Sequence, residues 1–277
     1  MTEQGAGQRH IGPVPAGNEL VVRLISALAL MAIGLIGAIF GGWAAAIVLA
    51  VLTAIFHLEW VSLTDRSPWP GAVFTVGLVL AIAMTAMGLV GGGLILVALA
   101  VGFSALTWSL WRPVGVAYAA MLGMGLLVLR LTPEGLPAVL LVLAVVWATD
   151  TGAYFIGRLV GGAKLAPRIS PNKTQSGAIG GLVVGILAGL IVAAIAGLPL
   201  TGSLILVMGL LSVVSQAGDL FESFVKRTFG AKDSGNLIPG HGGLMDRLDG
   251  LAVASGAAAI IGWLHAGPNV AVGLLTW

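Results

Sequence analysis

Apolar stretches of about twenty residues follow one another along almost the whole chain, joined by connectors of only a few residues. Stretches of that length match the roughly 30 Å hydrocarbon core of a bilayer when coiled as helices. Only 9% of the 277 residues are charged and 58% are hydrophobic, with a mean hydropathy of +1.06. A soluble domain of this size needs about a quarter of its residues charged to cover its surface. The chain is too apolar for a water-soluble globule, and too apolar for disorder. Its 42 glycines come with only 12 prolines and no three-residue period, which excludes collagen. Glycine at this level suits membrane helices whose backbones approach closely.

Nine spans are expected, near 20–40, 42–60, 69–89, 92–110, 113–131, 136–157, 177–197, 202–222 and 249–266. The fold class is an all-α polytopic membrane protein. A polar tail (1–18) precedes N-terminal membrane helices (19–146) and a C-terminal membrane region carrying the chemistry (147–277), all one integral membrane unit. With nine spans, twelve of the thirteen Lys and Arg residues fall on one side and Arg130 alone on the other. Such an excess marks the cytoplasmic face. Trp60, Trp69, Trp108 and Trp111 stand at cytoplasmic span ends and fit an interfacial belt. Cysteine is absent, which excludes disulfides and thiolate chemistry. No basic stripe with interleaved aromatics supports nucleic-acid binding.

The ionisable residues collect in two long polar connectors, 158–176 and 223–248, and in the helix ends beside them. Asp150 lies near the end of the sixth span, Asp219 and Glu222 close the eighth, and Asp246 and Asp249 open the ninth. A carboxylate at membrane depth costs roughly 2.5–3.5 kcal/mol, so it tends to face the interior of a bundle and find partners. The alternating directions of the helices bring all five to one depth. Residues three apart share a helix face, which pairs Asp219 with Glu222 and Asp246 with Asp249. Clustered oxygen ligands suit a hard cation such as Mg²⁺, with a second cation left open. Lys173, Lys226, Arg227, Lys232, Arg247 and the neutral donor His241 surround them. Carboxylates, a metal and cations together are what phosphoryl chemistry requires. Gly235, Gly240, Gly242 and Gly243 permit tight turns and close backbone approach to an anion. A structural ion network at the helix ends would use the same residues, and the basic residues alone could serve topology. His57 and His265, in apolar surroundings, are expected to pack.

The segment Ser223–Asp249 carries the pattern S-x-x-K-R-x4-K-D-x-G, then P-x-H-G-G-x-x-D-R-x-D. It resembles the signature of the phosphatidate cytidylyltransferase (CDP-diacylglycerol synthase) family. Asp150–Phe155 and Ile169–Thr174 also resemble family segments; the family's usual Glu after the latter is replaced by Ser176. The resemblance implies transfer of a cytidylyl group from CTP to phosphatidic acid, giving CDP-diacylglycerol and pyrophosphate in phospholipid biosynthesis. It implies Mg²⁺ on Asp219 and Asp246, with Asp219, Asp246, Lys226 and His241 as catalytic residues. Lys173, Ser223, Arg227, Lys232, Asp233, Arg247, Asp249 and Asp150 would bind the substrates. It further implies a homodimer in a bacterial inner membrane. Alternatives are a CTP-dependent transferase acting on another lipid phosphate and a secondary transporter. Charges gathered at one leaflet argue against the transporter, whose sites lie at the midplane.

Overall fold

A computed structural model describes residues 16–65, 68–107, 109–235, 237 and 242–277. Ten helices and one hairpin follow in order. They are α1 (Ala16–Phe40), α2 (Gly42–Thr64), α3 (Pro68–Ala86), α4 (Val90–Ala105), α5 (Trp111–Arg130) and α6 (Gly135–Val160). Then come β1 (Lys164–Ala166), β2 (Ser170–Thr174), α7 (Gln175–Ile195), α8 (Gly202–Thr228), α9 (Met245–Ala266) and α10 (Val270–Leu275). Six of them (α2, α5, α6, α7, α8 and α9) are long and apolar enough to cross a membrane. Helices α1, α3 and α4 hold shorter apolar stretches, so each of the nine expected spans falls on one helix. The protein is an all-α integral membrane protein, apart from the small hairpin.

Two departures from the sequence reading matter for the site. The connector 158–176 is not irregular: β1 and β2 pair antiparallel, with Lys164 opposite Thr174 and Ala166 opposite Ser170. In addition, α8 runs on to Thr228 and α9 begins at Met245, so Lys226 and Asp246 are helical residues. At about 1.5 Å per residue, α8 is about 40 Å long and overshoots a bilayer core of about 30 Å by about two turns. Helix α10 had no counterpart among the expected spans.

Glycine sets the closest helix contacts. Gly177, Gly181, Gly185 and Gly189 recur every four residues, forming one backbone stripe on α7 that faces α6. A Cβ at Gly181 would stand 2.6 Å from Thr149 O, and one at Gly177 2.7 Å from Ala153 O. Larger residues would force the helices apart. The same device operates where α8 meets α9. A Cβ at Gly218 would approach Asp249 O to 3.0 Å, and one at Gly250 would approach Ser215 O to 2.9 Å. These two glycines adjoin Asp219 and Asp249 in sequence, so the closest backbone approach of the two helices falls at the carboxylates.

Trp60 corrects the belt assignment. It is 1% exposed, donates Nε1–H to Trp111 O at 2.9 Å and stacks on Phe221. It is a packing residue inside an aromatic cluster with Tyr118 and Phe56. The side chains of Trp69 and Trp108 lie outside the described residues. His57 is buried as expected, whereas His265 is exposed at the end of α9. His57 Nδ1 lies 2.7 Å from Thr75 Oγ1, and His265 Nδ1 lies 2.9 Å from Gly273 O, its ring against Trp277.

Candidate active site

The ends of α6, α8 and α9, together with β2, enclose the polar end of a cavity of about 1090 Å³. Asp150, Lys173, Asp219, Lys226, Asp233, Asp246, Arg247 and Asp249 all line it. Eight of the twelve site residues expected from sequence are thereby brought to one space, although they are spread over a hundred positions of chain. Thr174 caps α7 by accepting from Gly177 N at 3.1 Å, which fixes the end of β2 and with it Lys173.

Two lysines at this end are paired with three carboxylates. Lys173 forms an ion pair with Asp219. Lys226 Nζ lies 2.5 Å from Glu222 Oε2 and 2.6 Å from Asp246 Oδ1. The other oxygen of Asp246 accepts three hydrogen bonds, from Ser234 N (2.9 Å), Ser234 Oγ (3.0 Å) and Gly243 N (2.8 Å). Glu222, 0% exposed, does not line the cavity; it lies behind Lys226 as a buried counter-charge. Asp249 is buried, accepts from Gly250 N at 2.7 Å, and gives its backbone carbonyl to Tyr118 Oη at 2.9 Å.

Three expected residues stand off the cavity wall. Arg227 is exposed and ties the end of α8 to the hairpin, donating to Ile169 O at 3.4 Å and to Ala231 O at 3.3 Å. Lys232 is exposed on the connector after α8, and Ser223 is half-buried on α8. His241 lies outside the described residues.

Beyond the charges the same cavity turns apolar. Leu49, Leu52, Leu122, Val139 and Leu143 line it, contributed by α2, α5 and α6. From Asp150 to Val139 the wall of α6 descends about 16 Å. The cavity reaches Arg130, whose guanidinium donates to the last carbonyls of α1, Ala38 O at 2.5 Å and Ile39 O at 3.2 Å. A charged mouth opening into a greasy interior accommodates a molecule with a phosphate head and hydrocarbon tails.

Several residues here escaped the sequence reading. Arg158, Lys164 and Asn172 line the cavity, and Ser234 binds Asp246. Most notable is Glu59 of α2, which accepts hydrogen bonds from Leu244 N at 2.9 Å and Met245 N at 2.7 Å. One signal was available for it: a lone carboxylate in an apolar helix demands a partner.

The oxygen-rich donor set suits Mg²⁺, which takes one or two carboxylates and keeps waters or phosphate for the rest. Among the described residues no three acidic or imidazole groups converge to cage a cation by themselves.

Fold and site together define a polytopic helical membrane protein whose carboxylate-and-lysine cavity suits a phosphorylated, lipid-like molecule. Over residues 21–265 the chain matches the family model described as the cytidylyltransferase family, and it belongs to that family. It is 47% identical over 161 residues to a protein of Brucella suis biovar 1 named phosphatidate cytidylyltransferase, covering 58% of this chain and 60% of that one. Proteins of the same name from Bacillus subtilis (46% over 121 residues, 43% and 45% of the two chains) and Staphylococcus saprophyticus (46% over 132 residues, 47% and 51%) are also similar. The chain thus spans about half to three-fifths of the length of these relatives.

Proposed function

We propose that this protein transfers the cytidylyl group of CTP to phosphatidic acid, forming CDP-diacylglycerol and pyrophosphate. The observation that carries this proposal is the shared cavity. Lys226, Asp233, Asp246, Arg247 and Asp249 of the cytidylyltransferase-like signature line its charged end beside Asp150, Lys173 and Asp219, and the wall beyond them is mainly apolar. The names of the relatives point to the same substrates.

In the reaction, a phosphate oxygen of phosphatidic acid attacks the α-phosphorus of CTP. The bond from that phosphorus to the α–β bridging oxygen breaks, and pyrophosphate leaves with the electron pair. The attacking oxygen is already anionic at neutral pH, so no strong base is required. Asp219 and Asp246 would hold Mg²⁺, which supplies charge neutralisation to the phosphates. Lys173 and Lys226, paired with those two carboxylates, would donate to the phosphate oxygens of the substrates. Arg247 and Lys232 add positive charge at the mouth, with His241 as a hydrogen-bond donor. Asp150 and Asp249 complete the acidic wall, with Asp233 beside them, and Ser223 and Arg227 on α8 would add contacts to the substrates.

Nine spans, a cytoplasmic mouth and a bacterial inner membrane complete the proposal. On a nine-span topology the mouth falls on the side to which the sequence assigns twelve of the thirteen basic residues, which supports the orientation. The homodimer rests on the family resemblance.

Isotopic label tests the reaction. Purified protein in nanodiscs, given phosphatidic acid, CTP and Mg²⁺, should move α-phosphate label into the lipid and release γ-label as pyrophosphate. γ-Label in the lipid, or no consumption of CTP with any lipid phosphate, overturns the proposal.

A further inference from the structure

Glu59 lies outside every motif of the sequence, yet the carboxylate end of the cavity is assembled on it. It sits near the end of α2, 8% exposed in an otherwise apolar helix. Its Oε1 accepts from Leu244 N at 2.9 Å; its Oε2 accepts from Met245 N at 2.7 Å and from Ser234 Oγ at 3.2 Å. Backbone N–H groups at the start of a helix have no partner within that helix. Leu244, at the start of α9, makes no side-chain cap of its own. Glu59 supplies the cap from another helix, setting negative charge against the positive end of the α9 dipole.

The motif glycines make room for this contact. A Cβ at Gly243 would stand 2.6 Å from Glu59 Oε2, and one at Gly235 would stand 2.9 Å from Glu59 Oε1. The anion these glycines admit is therefore a side chain of the protein itself. Ser234 links Glu59 to the site: its hydroxyl has one proton and two carboxylate acceptors, Glu59 Oε2 and Asp246 Oδ2. Asp246 Oδ2 is committed to this elbow, which turns Oδ1 toward Lys226 and the cavity.

We propose that Glu59 is a positioning residue for Asp246. By holding the amides of Leu244 and Met245 and the Ser234 hydroxyl, it keeps the elbow rigid and leaves Asp246 Oδ1 free to serve the cavity. Without Glu59, buried donors lose their acceptor. Asp246 is the nearest remaining carboxylate and is drawn into the elbow.

Glu59→Gln keeps size and one acceptor but presents an amide N–H₂ to donors. In nanodiscs it should lower kcat about 10–100-fold, the usual cost of losing an outer partner of a ligating carboxylate, with KM for CTP within about twofold. Hydrogen exchange should quicken in the peptide covering 242–250 and stay unchanged in 116–129 of α5. Gly243→Ala, which pushes a methyl at the same carboxylate, should reproduce both effects from the opposite side and serves if Glu59→Gln does not fold. An unchanged kcat, a loss carried mainly by KM, or exchange that quickens across the whole bundle would overturn the proposal. The kinetic arm rests on the function proposed above. If the wild type makes no CDP-diacylglycerol, that function fails, and exchange alone decides on Glu59: a change confined to 242–250 in both variants upholds it and no local change refutes it.

Discussion

Lys226 Nζ lies 2.6 Å from Asp246 Oδ1, joining the last turn of α8 to the first turn of α9. The same ammonium is 2.5 Å from Glu222, a fully buried carboxylate whose oxygens find no hydrogen-bond donor among the described residues beyond this ion pair. One cation thus compensates two carboxylates where water is scarce. Lys226 is a structural keystone as well as a candidate phosphate ligand.

Removing that cation should therefore cost stability as well as activity. Lys226→Ala leaves Glu222 buried and uncompensated, a change worth about 3–5 kcal/mol in buried pairs. Its melting temperature in nanodiscs should fall clearly below that of the wild type. Adding Glu222→Gln should recover most of the loss in Tm without restoring turnover. A Lys226→Ala protein as stable as the wild type would show that Glu222 needs no partner.

Asp219→Asn and Asp246→Asn separate metal-holding from structural carboxylates. Each keeps shape but removes the charge on which Mg²⁺ coordination depends. Turnover should fall by orders of magnitude, about 10²-fold or more, while the protein stays folded and inserted. Asp246→Asn should also loosen the Ser234–Gly243 elbow, because its Oδ2 accepts three hydrogen bonds there. Among the described residues Asp219 is held by an ion pair with Lys173 and accepts none of these three bonds. Near-normal rates for both variants at saturating Mg²⁺ would make the two carboxylates purely structural.

The glycine stripe of α7 predicts a packing effect at a distance. Gly181→Leu places a side chain where even a Cβ would lie 2.6 Å from Thr149 O. Helices α6 and α7 must separate, moving Asp150 and the Lys173 strand apart. Activity should be lost together with thermal stability, whereas Gly197→Ala, in the open turn after α7, should only strain a positive-φ position. Equal effects of the two substitutions would refute close packing at Gly181.

Much of the fold was legible because hydrophobic length is a local property. Each apolar run of about twenty residues became a helix, and Asp219, Lys226 and Asp246, grouped from their places at the ends of two spans, line one cavity. What escaped depended on distance along the chain. Glu59 meets Ser234 across 175 positions, and no pattern within α2 reveals that pairing. Trp60 was assigned to the membrane interface by its place at a span end; its true surroundings are Trp111, Tyr118 and Phe221, from two other helices. The hairpin was missed because Lys164–Thr174 is short and polar, with no alternation of apolar residues to mark two strands. Helix α10 is six residues long, and it follows the Gly267-Pro268 break that ends α9.

Orientation is open to direct measurement. On nine spans the sequence assigns most basic residues to the side where α2, α6 and α8 finish, and the charge rule predicts that this end faces the cytoplasm. Asn172, on β2 beside the cavity, should then lie inside, and Trp277 outside. The chain has no cysteine of its own, so a single introduced thiol reports without background. Trp277→Cys should react with a membrane-impermeant maleimide in intact cells, and Asn172→Cys only after the membrane is opened. Labelling of Asn172→Cys from outside would reverse the orientation and put the cavity mouth out of reach of cytoplasmic CTP. Labelling of both sites from the same side would instead mean that an odd number of crossings between them is wrong. That would remove at least one of the three helices α7, α8 and α9 from the list of spans.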